Sequence, residues 1–308
     1  MRKEDNPNYY VKIVDGNLTY VKRKKTTSFD VVNCLLLTLF ALVCLLPILY
    51  LLLLSFASKA DYLQASLFVI PKQFNFENYK VSLYQDKIFQ AFGVSVLVTA
   101  GSVLYSMILT CLGAYCFTKK DVPGIKVIFY LIIFTMFFSG GLVANYLTIK
   151  DTVGTNNLWS IIIPFGINTF NMIVLRNFFG QVPESIIESC RLDGASEFRI
   201  LFTFVLPLSK AGIATITLYY FVAKWNDWYW PAILLSDVPD LAPLALKIRQ
   251  GLNNERGEGL GGGWDTSLIF TQGTNAAMCI IGLIPIMAIY PFLQKYFTKG
   301  VMIGGVKG

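Results

Sequence analysis

The sequence predicts an all-α integral membrane protein of six transmembrane helices, and three observations carry that prediction. Of 308 residues, 55% are hydrophobic and only 15% charged, with a mean hydropathy of +0.55; a soluble domain carries about a quarter charged residues. Six stretches are apolar over close to, or more than, the ~20 residues that cross a bilayer as helix. Lysine and arginine are unevenly shared: with the amino terminus inside, inner segments hold 17 and outer segments 8, which the positive-inside rule reads as orientation. The net charge of +7 is then a topology signal, not a nucleic-acid footprint.

In chain order, residues 1–30 form a basic leader, with Lys22, Arg23, Lys24 and Lys25 placed to meet lipid headgroups. The spans follow as Val31–Phe56, Phe92–Phe117, Val127–Ile149, Leu158–Leu175, Ala211–Leu235 and Ala276–Leu293. The first has 26 residues, against the about 7–15 of a cleaved signal, so it is expected to stay as an anchor. Proline occurs in the fourth (Pro164) and the sixth (Pro285, Pro291), where neighbouring helices can satisfy the freed carbonyls. Residues 31–293 make the membrane domain and 294–308 a tail, with both termini cytoplasmic.

Several chemistries are excluded. No histidine is present, which removes His-based triads and most zinc sites. The six cysteines (Cys34, Cys44, Cys111, Cys116, Cys190, Cys279) show no ligand or disulfide spacing and read as packing residues. No G-x-x-x-x-G-K-[ST] occurs, so the chain has no Walker A loop for ATP. Gly259–Gly263 follows no strand and opens no helix, so it is no dinucleotide fingerprint.

Between the fourth and fifth spans lies a polar segment, 183–208. Pro183 suits a helix start, and Glu184 and Glu188 put negative charge near its positive end. Glu184, Glu188 and Arg191 fall on one stripe, while Ile186, Ile187 and Cys190 fall on another. Asp193-Gly194 ends the helix, and a second one is expected from Ser196 to Val205, up to Leu206-Pro207. This predicts a helix–turn–helix along the inner membrane face; a partnerless interfacial helix fits the same pattern.

Here the residues carry a resemblance. The segment resembles the EAA loop of ABC-importer membrane subunits: Glu188, Gly194 and Leu206-Pro207 stand at that family's spacing. Ser189 and Cys190 replace its two alanines, and Phe204 its isoleucine. "WNDWYWPAILL" (Trp225–Leu235) is similar to a fifth-span segment of carbohydrate-type importer subunits. "YFTKGVMIGGVKG" is similar to the ending of the smaller membrane subunit of maltose-type importers, and the likeness extends to oligosaccharide and polysaccharide permeases of Gram-positive bacteria.

The resemblance implies a type I ABC-importer-like transmembrane domain with a cytoplasmic coupling helix. It implies that Glu184, Glu188, Arg191, Asp193, Gly194, Ala195 and Pro207 form the socket for a separate ATPase. It implies that the tail Gly304, Gly305, Val306, Lys307 and Gly308 reaches towards the ATPases, although its glycines favour extended chain. ATP and Mg would sit on that partner, and no cofactor on this chain. The partners implied are a second homologous permease subunit, two ATPase copies and an external sugar-binding protein, which the long loop 236–275 would meet.

Candidates for the substrate pathway are fewer. Lys224 and Asp227 lie on one helical face within the fifth span, and intramembrane charges either pair or line a cavity. Trp225, Asn226 and Trp228 offer rings and an amide to a sugar, or an aromatic belt. Asn168 and Asn171 add amides that equally serve helix–helix bonding. Two other classes are open to the residues alone: a stand-alone secondary transporter with Asp227 as coupling carboxylate, and an importer for a substrate other than sugar.

Overall fold

The computed structural model describes residues 9–14, 17–22, 27–65, 68–84, 87–119, 121–138, 140–253 and 270–304, with side chains described within 27–252 and 270–291. The chain divides into two compact units, Met1–Leu51 and Leu52–Gly308.

The first unit departs from the all-helical expectation. Strands β1 (Tyr9–Val14) and β2 (Asn17–Lys22) pair antiparallel, Tyr9 opposite Lys22 and Val14 opposite Asn17. Both strands are rich in β-branched and aromatic residues, and Asp15-Gly16 stands between them in sequence, one of the dipeptides that favour a two-residue hairpin. Helix α1 (Ser28–Ser55) follows. Asp30 accepts from the Thr27 N–H (2.9 Å) and hydroxyl (2.7 Å) at its start.

The second unit is helical among its described residues. After α2 (Lys59–Gln64) and α3 (Glu77–Tyr84), α4 (Ile88–Cys116) runs unbroken for 29 residues. Buried Asn78 donates to the carbonyls of Ser55 (3.0 Å) and Ala57 (2.9 Å), satisfying the end of α1. One face of α4 buries Ser95, Thr99, Ser102, Ser106 and Thr110, and such small side chains let neighbouring helices approach closely. Next come α5 (Ile125–Phe134), α6 (Gly141–Thr152), α7 (Trp159–Ile162) and α8 (Thr169–Phe179). The polar segment holds α9 (Glu184–Leu192), α10 (Glu197–Ile200) and α11 (Leu206–Leu208). The chain ends with α12 (Lys210–Trp225), α13 (Tyr229–Leu234), α14 (Leu244–Asn253) and α15 (Thr271–Gly304).

Among the described residues, three helices are long and apolar enough to cross a membrane: Ser28–Ser55, Ile88–Cys116 and Thr271–Pro291. The other expected spans are interrupted. The third divides into α5 and α6 around Gly140-Gly141, with Gly141 at φ +79°. The fourth divides at 163–168, where Pro164 lacks an N–H and Gly166 lies so close to Tyr105 that a Cβ would collide with its ring. The fifth stops at Trp225 and restarts at Tyr229. Hydropathy is blind to such breaks because the residues around them are still apolar.

The tail also differs from expectation. The helix of the sixth span continues through Gly304, because adding residues to an existing helix avoids the nucleation cost that a free glycine-rich segment would bear. Residues 305–308 lie outside the described residues.

Two apolar clusters hold the helices around segment 183–208 and the interrupted spans in place. One packs Ala114 and Tyr115 of α4 against Met172, Leu175 and Phe179 of α8, Cys190 of α9, Ile200 of α10, and Ile216 and Tyr220 of α12. The second gathers Val98, Ile149, Ile161, Ile162, Leu234 and Leu235.

Candidate functional site

Segment 183–208 rests on the first cluster. Pro183 caps α9, whose Cys190 is buried and whose Ile186 and Ile187 pack partly buried on the same core. Glu184, Glu188 and Arg191 are exposed on the other side, together with Asp193. Gly194 adopts φ +78°, and the N–H groups of Asp193, Gly194 and Ala195 return to the carbonyls of Ser189 (3.0 Å), Arg191 (3.0 Å) and Cys190 (2.9 Å). That closes α9 in a left-handed turn and places half-buried Ala195 on the core. Ser196 then caps α10, its hydroxyl accepting from the Arg199 N–H at 3.4 Å.

Helical structure runs past the expected stop at Leu206-Pro207. Pro207 has no N–H to give, and the preceding Leu201–Val205 is π-helical, a widened turn that accommodates the missing bond. Glu197–Leu208 and Lys210–Trp225 then meet at 86°. Two apolar side chains project from the segment: Leu192 is 89% exposed and Phe198 67%.

A polar hub fastens this segment to α4. Oε2 of Glu197 accepts from the Tyr115 hydroxyl (2.5 Å) and the Lys119 ammonium (2.6 Å). Its Oε1 accepts from Arg191 Nε (3.1 Å) and pairs with the guanidinium at 3.0 Å. Lys119 also donates to the Tyr115 hydroxyl (2.8 Å) and lies 4.1 Å from that ring's centre. Burial alone would raise the Glu197 pKa, but the hydrogen bonds of Lys119 and Tyr115 and the charges of Lys119 and Arg191 outweigh it and bring it to about 2. The carboxylate therefore stays ionised at any physiological pH. Nothing local in the sequence announces this hub, because Tyr115 and Lys119 lie 82 and 78 residues from Glu197.

The pathway candidates separate. Trp225 is buried, stacked on Phe221 (5.9 Å) and edge-on to Phe92 (5.7 Å), and its indole N–H donates to the Gly282 carbonyl (3.1 Å). It ties α12 to α15. Lys224 makes no ion pair with Asp227 within 4.0 Å; its ammonium donates to the Ile161 carbonyl (2.9 Å) and stands 4.7 Å from the Phe165 ring. The expected pair does not form because the break after α7 leaves a carbonyl within the lysine's reach. Asp227 instead accepts from the Trp230 N–H at the start of α13 (3.4 Å).

Asn226 is exposed and donates to the Val222 carbonyl (2.9 Å), while the Trp228 ring lies 4.9 Å from the Arg249 guanidinium. Asn168 caps α8 by accepting from the Asn171 N–H (3.0 Å), and its own N–H donates to the Tyr220 hydroxyl (3.0 Å). Tyr220 and Lys224 are one turn apart on α12, so that helix holds the interrupted fourth span at two points. Of the loop 236–275, residues 254–269 lie outside the described residues. The near part is tied down by Lys87–Asp240 (2.8 Å) and by Asn156 Nδ2 to Asp237 (2.8 Å).

Comparison with known proteins adds to this geometry. A family model described as "Binding-protein-dependent transport system inner membrane component" matches residues 18–303. Protein LplC of Bacillus subtilis (strain 168) is 37% identical over 285 residues, covering 91% of this chain and 95% of that one. The polygalacturonan/rhamnogalacturonan transport system permease protein YtcP, also of Bacillus subtilis (strain 168), is 36% identical, covering 92% of this chain and all of that one. Among solved structures, a bacterial ABC transporter involved in the import of the acidic polysaccharide alginate matches with a TM-score of 0.79 and 30% identity, over 87% of this chain and 96% of that one.

Proposed function

Because the chain belongs to the binding-protein-dependent transport system inner membrane component family, we propose that it forms half of the translocation pathway of an ATP-driven carbohydrate importer. The chain crosses the membrane six times in this reading, three times as the long apolar helices and three times as interrupted ones. Both termini and segment 183–208 face the cytoplasm, as the lysine and arginine distribution indicates. The chain itself is not an enzyme: ATP and Mg belong to two copies of a separate ATPase. A second homologous permease completes the pathway, and an external binding protein delivers the sugar.

One observation carries the coupling role. The segment presents Glu184, Glu188 and Arg191 outward beside the projecting Leu192 and Phe198, while its inner face is built into the core. Exposed charged and exposed apolar side chains on one segment, backed by a packed core, are what a docking surface for another protein combines. Movement of that partner, driven by ATP, would then shift the helices behind it and alternate access between the two sides. The substrate class follows from relatives whose names specify polygalacturonan, rhamnogalacturonan and alginate, so an acidic glycan or its oligosaccharides leads the candidates.

The test is expression with the neighbouring permease and an ATPase, purification through this chain, and reconstitution with a binding protein against a panel of acidic and neutral glycans. The expected result is a complex whose ATP hydrolysis and uptake rise with an acidic oligosaccharide. Uptake by this chain without any ATPase would favour a secondary transporter instead.

A further inference from the structure

We propose that α4 is a rigid strut that carries displacement of segment 183–208 across the membrane to the outer segment 236–253, with Tyr115, Lys119 and Glu197 as its inner clamp. The proposal rests on the reading that an ATPase docks on segment 183–208.

Three observations converge on it. The first is continuity. With 29 residues, α4 is about 43 Å long at 1.5 Å per residue, enough to span a hydrocarbon core of about 30 Å. No proline interrupts it, whereas α15 contains Pro285 and Pro291, and the third, fourth and fifth spans are each broken. Among the described helices long and apolar enough to cross a membrane it is therefore the one free of proline, and it can transmit a push without bending at a break.

The second observation is the inner clamp. Tyr115 is 6% exposed and the Lys119 side chain 17%, while the Glu197 side chain is 50% exposed, so the hub is sheltered on the α4 side and open to water on the Glu197 side. Isolated exposed ion pairs hold little; three donors converging on one carboxylate, two of them sheltered, hold more. Arg191, on the opposite side of the carboxylate, brings the end of α9 into the same hub.

The third observation is the outer clamp. At the other end of α4, Ser95 accepts from the Leu244 N–H (2.7 Å), Gln90 donates to the Asp240 carbonyl (3.0 Å), and Lys87 just before the helix pairs with the Asp240 carboxylate. Both ends are held by specific polar contacts, each to the segment on its own side of the membrane. A helix clamped at both ends couples those segments mechanically, whatever glycan is carried.

Hydrogen exchange of the full complex in lipid nanodiscs, with and without Mg-ATP plus orthovanadate, tests the strut without any glycan. In the wild type, trapping the nucleotide should change amide exchange in both 183–208 and 236–253. In Lys119→Met the inner response should persist, while the outer response, about fivefold in the wild type by the usual size of such couplings, should fall below about twofold. Tyr115→Phe, which removes one hydroxyl and keeps the ring in the core, should roughly halve it and decides the matter if Lys119→Met fails to assemble. Lys119→Met combined with Glu197→Gln should be no worse than either alone, since both remove the same link. An outer response that survives these variants, or that is missing from a wild type whose inner segment does respond, overturns the strut. An inner segment indifferent to nucleotide overturns the docking reading instead.

Discussion

The hydroxyls of Thr110 and Tyr220 lie 2.7 Å apart in the buried middle of the second unit, joining α4 to α12. Tyr220 also accepts from the Asn168 N–H, so one phenol serves three helices. Tyr220→Phe should cost about 1 kcal/mol, towards the upper range for polar contacts between membrane helices, because it strands a backbone donor. Thermal unfolding in detergent would show a lowered midpoint, and an unchanged one would mean that water or a neighbour replaces the hydroxyl.

Glu188→Lys reverses one charge on the exposed face of α9 and leaves the buried Cys190 face untouched. Docking of the ATPase should weaken about tenfold, as for other charges at the edge of an interface, with normal amounts of folded chain in the membrane. The measurement is ATPase recovery on purification over a range of salt. Equal recovery at every salt concentration would remove Glu188 from the docking surface.

Exchanging the charges, Lys224→Asp with Asp227→Lys, would be harmless if the two formed a simple ion pair. The structure predicts harm, because an aspartate at 224 has no donor for the Ile161 carbonyl and a lysine at 227 has none of the acceptor capacity that Trp230 uses. Lower membrane yield is expected, not merely lost uptake. Full yield with lost uptake would point to the substrate path instead.

Two glycines should differ in whether asparagine is better tolerated than alanine. At Gly194 there is open space but φ is +78°, so Gly194→Ala should cost about 1 kcal/mol and Gly194→Asn, which tolerates that backbone, less. At Gly212 the backbone is ordinary helix, but a Cβ would run into the Phe178 ring. Both alanine and asparagine should therefore destabilise there, by about 1–3 kcal/mol or more. Unfolding midpoints of the four variants provide the check.

Deleting Gly304–Gly308 removes the last residue of α15 and the four that follow it in sequence. Assembly should survive if, as proposed, segment 183–208 makes the larger contact, while hydrolysis stimulated by binding protein and glycan falls. Unchanged stimulation in lipid would leave these residues without a role at the ATPases.

How much of this could be read from residues alone depends on the distance over which each feature is encoded. Segment 183–208 was legible because its signals are local: the Glu184–Glu188–Arg191 stripe, the turn at Gly194 and the Ser196 cap all act within one or two helical turns. Asp15-Gly16 offered an equally local sign of the hairpin, but charge and hydropathy weigh composition and pass over it. The breaks in the spans were harder, since Asn168 can end one helix and start another only where Tyr220 takes up its freed N–H. The anchoring of Glu197 to Tyr115 and Lys119 was out of reach altogether, since those partners lie 82 and 78 residues away.

The corner at Ser209 has a mechanical consequence. Two helical arms joined at 86° act as a bell crank, turning travel of one arm into travel of the other at a right angle. The longer arm, Lys210–Trp225, has 16 residues and so reaches about 24 Å. A tilt of only about 10° at Ser209 swings its far end by about 4 Å. That end carries Lys224 and Trp225, which grip the Ile161 carbonyl and the Gly282 carbonyl respectively, so a swing of that size must drag both neighbouring helices along or tear itself free of them.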